Sequence, residues 1–171
     1  MSRVQTYDPK TIVNPETKSL FDQVSKKFGR VPNIFRNMAN SPAVLKGFLS
    51  IEEAGAQTSF SPDFREQIAI AVSQANQCTY CLAAHTALLQ SLPKTSLDSK
   101  KQAILTFVDV LVKRKGHVSD IEVESLKNTG VSDQELTEIV LLVAISLFSN
   151  YFNLVTDPAV DFPEVQLAGA K

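Results

Sequence analysis

Residues 61–90 read SPDFREQIAIAVSQANQCTYCLAAHTALLQ, and the fold class follows from this stretch. Ser61 followed by Pro62 is a helix start, a capping residue with proline at the first helical position. From Ile68 to Val72 the apolar residues run all round the helix rather than along one stripe, which places this helix at the centre of a fold. A polar bend, Gln74 to Gln77, follows, and helical spacing resumes from Thr79 to Gln90, stopping before Pro93. Two successive helices, the first apolar on every side, predict an α-helical core.

The flanks read the same way. Asn14-Pro15 opens a helix through Leu20, Phe21, Val24 and Phe28 to Gly29, and a short apolar turn from Ile34 to Met38 follows. Ser41-Pro42 opens a helix ending near Gly55. Leu97 to Lys115 predicts another, with Ile104, Leu105, Val108, Leu111 and Val112 on its apolar side. Ser119 with Glu122 and Ser132 with Glu135 have capping-box spacing, announcing two more, the last running from Asp133 to about Leu154. No segment alternates with period two between turn residues, so no strand is expected. The prediction is an all-α single domain over residues 1–171 with about seven helices and an extended tail over 158–171, lying on a neighbouring surface or subunit.

Composition agrees. The chain has 171 residues, 44% hydrophobic and 20% charged, the profile of an ordinary globular domain. Its 17 basic residues against 18 acidic ones leave no surplus for neutralising phosphates, so a nucleic-acid partner is not expected. Met1 to Lys10 lacks the apolar run of a signal peptide. Ile139 to Phe148 falls well short of the roughly 20 residues that cross a bilayer and reads as a buried core helix. No membrane partner and a cytoplasmic location are therefore expected. In that reducing compartment two cysteines are not a structural staple, and their role is chemical.

The chemistry concentrates in Glu66, Cys78, Tyr80, Cys81 and His85. Cys81 and His85, four residues apart, share one helix face, where the imidazole can take the thiol proton. Cys78 falls in the first turn, where free N–H groups and the helix dipole lower a thiol pKa. Dipole and histidine favour different cysteines, so spacing alone leaves open which reacts first. A two-residue separation lets the pair close a disulfide. If the two central helices pack, Glu66 reaches the second nitrogen of His85 and orients it, a chain running Glu66, His85, Cys81. Zinc would find three ligands in Cys78, Cys81 and His85 but needs Glu66 or water as the fourth, so no metal is expected. Leu82 stands where covalent haem attachment requires histidine, and a thioredoxin-like fold would need strands. Asn150, Tyr151 and Asn153 offer two readings, residues lining the pocket or polar residues capping the terminal helix, and capping is the expectation.

The series Glu66, Cys78, Tyr80, Cys81, His85 resembles the core motif of the alkylhydroperoxidase D (AhpD)-like branch of the carboxymuconolactone decarboxylase superfamily. Gly29-Arg30-Val31-Pro32-Asn33-Ile34-Phe35, Ser41-Pro42 and Phe148-Ser149-Asn150-Tyr151-Phe152-Asn153 resemble its peroxidase-related subgroup. The resemblance implies an AhpD-like helical bundle, a homo-oligomer (dimer, trimer or hexamer) and an enzyme without a bound cofactor. It implies a thiol-dependent alkylhydroperoxide reductase, an antioxidant peroxidase that cycles a redox-active disulfide. Cys81 is then oxidised to sulfenic acid, Cys78 is its disulfide partner, and Glu66 with His85 relay the proton. An external dithiol, lipoylated or thioredoxin-like, restores the pair. Two departures bear on substrate and partner: a short 86–96 connection where relatives carry a further helix, and Leu154 where they carry arginine. Lactone decarboxylation and a redox-responsive binding or chaperone role are the alternatives.

Overall fold

The computed structural model describes residues 2–168, among which the chain forms eight helices and no strand. Helix α1 (Pro15–Phe28) starts where the Asn14 side chain accepts the Thr17 N–H and ends at Gly29, whose φ of +72° is the left-handed cap glycine takes without strain. Helix α2 (Asn33–Met38) is the segment read as a turn, and it raises the helix number from seven to eight. It has no side-chain cap at Pro32 and only six residues, too few for a helical period to show.

Helix α3 (Pro42–Ala56) is capped by Ser41 and α4 (Pro62–Ala75) begins at the Ser61-Pro62 signal. Helix α5 (Thr79–Ser91) follows the bend, and α6 (Ser99–Lys113) starts at an Asp98 cap, leaving Leu97 outside it. Both expected capping boxes are present, at the starts of α7 (Asp120–Asn128) and α8 (Asp133–Thr156).

Helix α4 is central, packing on α5, α6 and α8. Phe64, Ile68 and Val72, at successive i, i+4 positions, are fully buried; each contributes about 1.5–3 kcal/mol relative to exposure. They join Ile104, Val108, Ile139 and Val143 in one cluster, while Phe21, Val24, Phe35, Met38, Leu45 and Phe48 form a second that reaches both cysteines. Helix α8 serves both clusters. It crosses α3 at Gly55, where an added Cβ would lie 2.7 Å from Ile145 Cδ1, so only glycine permits this approach without rearrangement. By length and composition α8 would suffice to cross a membrane, but half of its apolar window is buried inside the protein.

The chain ends flank the site. The Arg3 N–H donates to Thr156 O at 2.8 Å and its guanidinium to Leu154 O and Val155 O, capping the C-terminus of α8. Beyond α8, residues 157–168 form neither helix nor strand, and the part of the expected tail at 169–171 lies outside the described residues. Asp161 anchors this tail. It pairs with Arg30, accepts the Asn33 N–H at 3.1 Å and accepts the Tyr80 hydroxyl at 2.7 Å.

Candidate active site

The bend between α4 and α5 creates the site. Gln77 takes φ +56°, uncommon for a residue with a side chain, and turns the chain so that α5 packs against α4. The Cys78 N–H donates to Ser73 O at 2.9 Å, and the Cys78 sulfur accepts the Cys81 N–H at 3.4 Å, making Cys78 the N-cap of α5. Cys78 and Cys81 are paired as a disulfide with their Cα atoms 5.4 Å apart, inside the range such a bond spans. Both are buried.

Packing of α5 on α4 brings His85 Nδ1 to 2.7 Å from Glu66 Oε2, the contact expected from the sequence. A carboxylate only accepts, so Nδ1 carries the proton and Nε2 remains free for proton transfer. Burial alone would lower the His85 pKa. The hydrogen bond and charge of Glu66, aided by Glu52, outweigh burial and an opposing Lys27, and hold it above the ordinary 6.5. Glu52 and Lys27 pair with each other at 3.3 Å on the same rim.

Glu66, Cys81 and His85 line one cavity of about 400 Å³. Its other walls are mostly apolar, including Phe35, Phe48, Leu88, Ile145 and Phe162. Cys78 stands outside it. The sulfur partner of Cys81 instead borders a smaller recess of about 220 Å³, between Arg3 and Asp157. The disulfide thus separates two spaces, and only the larger is lined by the His85–Glu66 pair.

Tyr80, between the cysteines, is a fastener. Its oxygen accepts the Ile34 N–H at 3.2 Å and donates to Asp161, while its ring meets Phe162 edge-on. Burial, then the Asp161 contact, pushes its pKa far up, so the phenol stays protonated.

The three polar residues near the end of α8 do not cap it, because the helix continues to Thr156. Asn150 is fully buried, accepting from Asn76 at 3.0 Å and donating to Ser73 at 3.4 Å, and so clamps the bend before Cys78. Tyr151 is exposed. Asn153 is buried, with Nδ2 3.2 Å from the Cys81 sulfur, and borders both cavities. The signal for Asn150 and Asn153 was their spacing, two amides three residues apart on an apolar helix, where a buried polar group needs a partner.

Comparison with known proteins bears on this arrangement. Residues 42–95, spanning α3, α4, α5 and the bend with its cysteines, match the model of the Carboxymuconolactone decarboxylase family. No curated protein matches the chain. Among crystal structures, a peroxidase-related protein from Silicibacter sp. TM1040 is 23% identical with a TM-score of 0.75, the match covering 91% of this chain and 88% of that one. An alkylhydroperoxidase AhpD core protein, also peroxidase-related, from Ralstonia eutropha JMP134 is 23% identical with a TM-score of 0.79, over 94% and 92%. A cysteine-to-alanine variant of the debrominase Bmp8, in complex with 2,3,4-tribromopyrrole, is 18% identical with a TM-score of 0.80, over 94% and 92%. At these identities the likeness is one of fold. Residues 42–95 are thus similar to the carboxymuconolactone decarboxylase family model, and the chain as a whole shares the helical fold of these peroxidase-related and debrominase structures.

Proposed function

We propose that the protein is a thiol-dependent hydroperoxide reductase that cycles Cys78 and Cys81 between dithiol and disulfide. The observation that carries this reading is the shared cavity: Cys81, one half of a formed disulfide, opens onto the space lined by the His85–Glu66 pair at 2.7 Å. The Cys81 thiolate attacks the peroxide O–O bond, and His85, whose protonated form Glu66 favours, gives an Nε2 proton to the departing alkoxide. Cys78 then displaces hydroxide from the Cys81 sulfenic acid and closes the disulfide. An external dithiol, lipoylated or thioredoxin-like, reopens it, a step suited to the reducing cytoplasm.

Intact-mass analysis of the reduced protein after one equivalent of an organic hydroperoxide tests the proposal, with repeated additions in the presence of a dithiol. Loss of two hydrogens, reversed by the dithiol over many turnovers, is the expected result. A single stoichiometric oxidation with a change in assembly would favour a redox-responsive binding protein instead. The fold shared with a debrominase makes halide release the second readout, and bromide liberated from a bromopyrrole without peroxide consumption would move the assignment to reductive dehalogenation. Self-association belongs to the same proposal: Tyr151, Leu154 and Val155 on α8 are exposed, apolar contact points for a second copy. Light scattering checks it against the 18.8 kDa monomer mass.

A further inference from the structure

Asn153 is the least explained polar residue of the fold. It is 4% exposed, yet its Oδ1 is the one buried side-chain oxygen or nitrogen among the described residues that meets no hydrogen-bonding partner. A disulfide sulfur carries no proton, so the 3.2 Å contact with Cys81 is made by the amide N–H donating to sulfur, which leaves Oδ1 free. An unpaired buried carbonyl destabilises a fold, and leucine at this position would avoid that cost. Packing therefore does not account for an amide here. Asn153 also borders the cavity that holds His85 and Glu66, and its amide lies against the sulfur at which the chemistry is assigned.

Resting on the peroxidase reading above, we propose that Asn153 is a further catalytic residue, donating through Nδ2 to the Cys81 thiolate and accepting through Oδ1 the O–H of the incoming hydroperoxide. The two contacts aim the terminal peroxide oxygen at sulfur. In the step they serve, the thiolate attacks that oxygen, an S–O bond forms, and the O–O bond breaks with its electron pair passing to the alkoxide. The alkoxide takes the Nε2 proton of His85 and leaves as alcohol. Sulfur is oxidised by two electrons and the peroxide is reduced by two. The hydroxyl proton stays on the transferred oxygen, now the sulfenic acid, and remains hydrogen-bonded to Oδ1. When the Cys78 thiol attacks Cys81, the S–S bond forms as the S–O bond breaks, the thiol proton and the departing hydroxide leave together as water, and Oδ1 is released for the next peroxide.

The test uses Asn153→Leu, of similar volume and without polar atoms, and Asn153→Asp, which keeps acceptors but loses the N–H donor. The first readout needs no peroxide: the pH profile of Cys81 alkylation by iodoacetamide in a Cys78→Ser background. Both substitutions are expected to move its midpoint to higher pH, Asn153→Asp more, because a carboxylate repels the thiolate. The second is single-turnover formation of the Cys81 sulfenic acid with an organic hydroperoxide, expected to slow roughly 10- to 100-fold, the range for losing a hydrogen bond to a charged group. Should Asn153→Leu fail to fold, Asn153→Asp carries both measurements. An alkylation midpoint and a sulfenic-acid rate that both match the parent overturn the proposal and leave the peroxidase reading in place. A wild type that consumes no hydroperoxide overturns the peroxidase reading and the oxygen-binding role with it, while the alkylation profile still reports on the Asn153–Cys81 contact.

Discussion

Replacing Glu66 by glutamine should reverse the direction in which the protein perturbs His85. Both side chains are about one fifth exposed, so the pair is shielded enough for its 2.7 Å contact to matter. Two influences oppose each other at the imidazole. Burial lowers its pKa, and Glu66 raises it by hydrogen bond and charge. Glutamine keeps an acceptor oxygen but not the charge, so burial prevails and the pKa falls below the ordinary 6.5. The lost interaction, a hydrogen bond between charged groups, is worth about 1.5–3 kcal/mol at pH 6. In a domain of this size that lowers Tm by roughly 3–12 °C.

The linkage has a definite sign. In the parent the raised pKa contributes stability that is fully present below the unfolded value of about 6.5 and is lost as pH rises through the folded value. In Glu66→Gln the slope inverts, and stability grows as pH rises toward 6.5. The chain has two histidines, His85 and His117, so two imidazole Hε1 resonances followed by NMR, assigned with His117→Gln, give the answer directly. A His85 that still titrates above 6.5 in Glu66→Gln would refute the reasoning. Alkylation of Cys81 should slow between pH 6 and 7 in the same variant if protonated His85 stabilises the thiolate.

Asp63 offers an acid test. Burial would raise its pKa, but hydrogen bonds from Ser61 and from the Thr95 N–H and hydroxyl outweigh it and hold the carboxyl at about 2. The resulting stability is present above pH 4 and lost as pH falls toward 2, so the advantage of the parent over Asp63→Asn in urea should shrink by about 2–3 kcal/mol across that window. Gly47 lies exposed within α3 with nothing near its Cβ position, so Gly47→Ala should raise stability by about 0.5–1 kcal/mol, read as a higher urea midpoint at unchanged slope. Asp161→Ala removes the partner of Tyr80, Arg30 and Asn33 together; limited proteolysis should then cut after α8 at concentrations that leave the parent intact, and Tyr80 should titrate at lower pH in ultraviolet absorbance.

Local signals carried the helix boundaries. Asn14-Pro15, Ser41-Pro42 and the two capping boxes each lie within four residues of the backbone groups they satisfy, so reading them needs no knowledge of the fold; Ser61-Pro62 marks the start of α4, but the Ser61 hydroxyl donates to Asp63 instead of capping the helix. The end of α8 was misplaced because Asp157 at φ +51°, not a glycine, terminates it. In the site, Cys81 and His85 were legible because four residues on a helix define a shared face. Glu66 required only the assumption that neighbouring helices pack. The Asn153–Cys81 contact spans 72 residues and the Asp161–Tyr80 contact 81, and no local pattern encodes which distant helix or tail arrives at a given sulfur or hydroxyl. Sequence alone reads Asn150 and Asn153 as helix caps; only the tertiary structure shows them buried and names their partners.

The hydrogen bonds from residues 2 and 3 to the end of α8 join an early segment to a late one, with Ser2 and Thr156 separated by 154 positions. During synthesis α4 and α5 leave the ribosome with their cysteines long before α8 follows. Until then Phe64, Ile68 and Val72 lack the α8 side of their cluster, and Cys81 lacks its amide neighbour. Contacts so distant in sequence form late, and domains generally fold as units. The step that buries the apolar face of α4 also brings Asn153 to the sulfur, so a nascent chain carries the redox pair without the complete site until α8 has emerged, and core and chemistry are finished together.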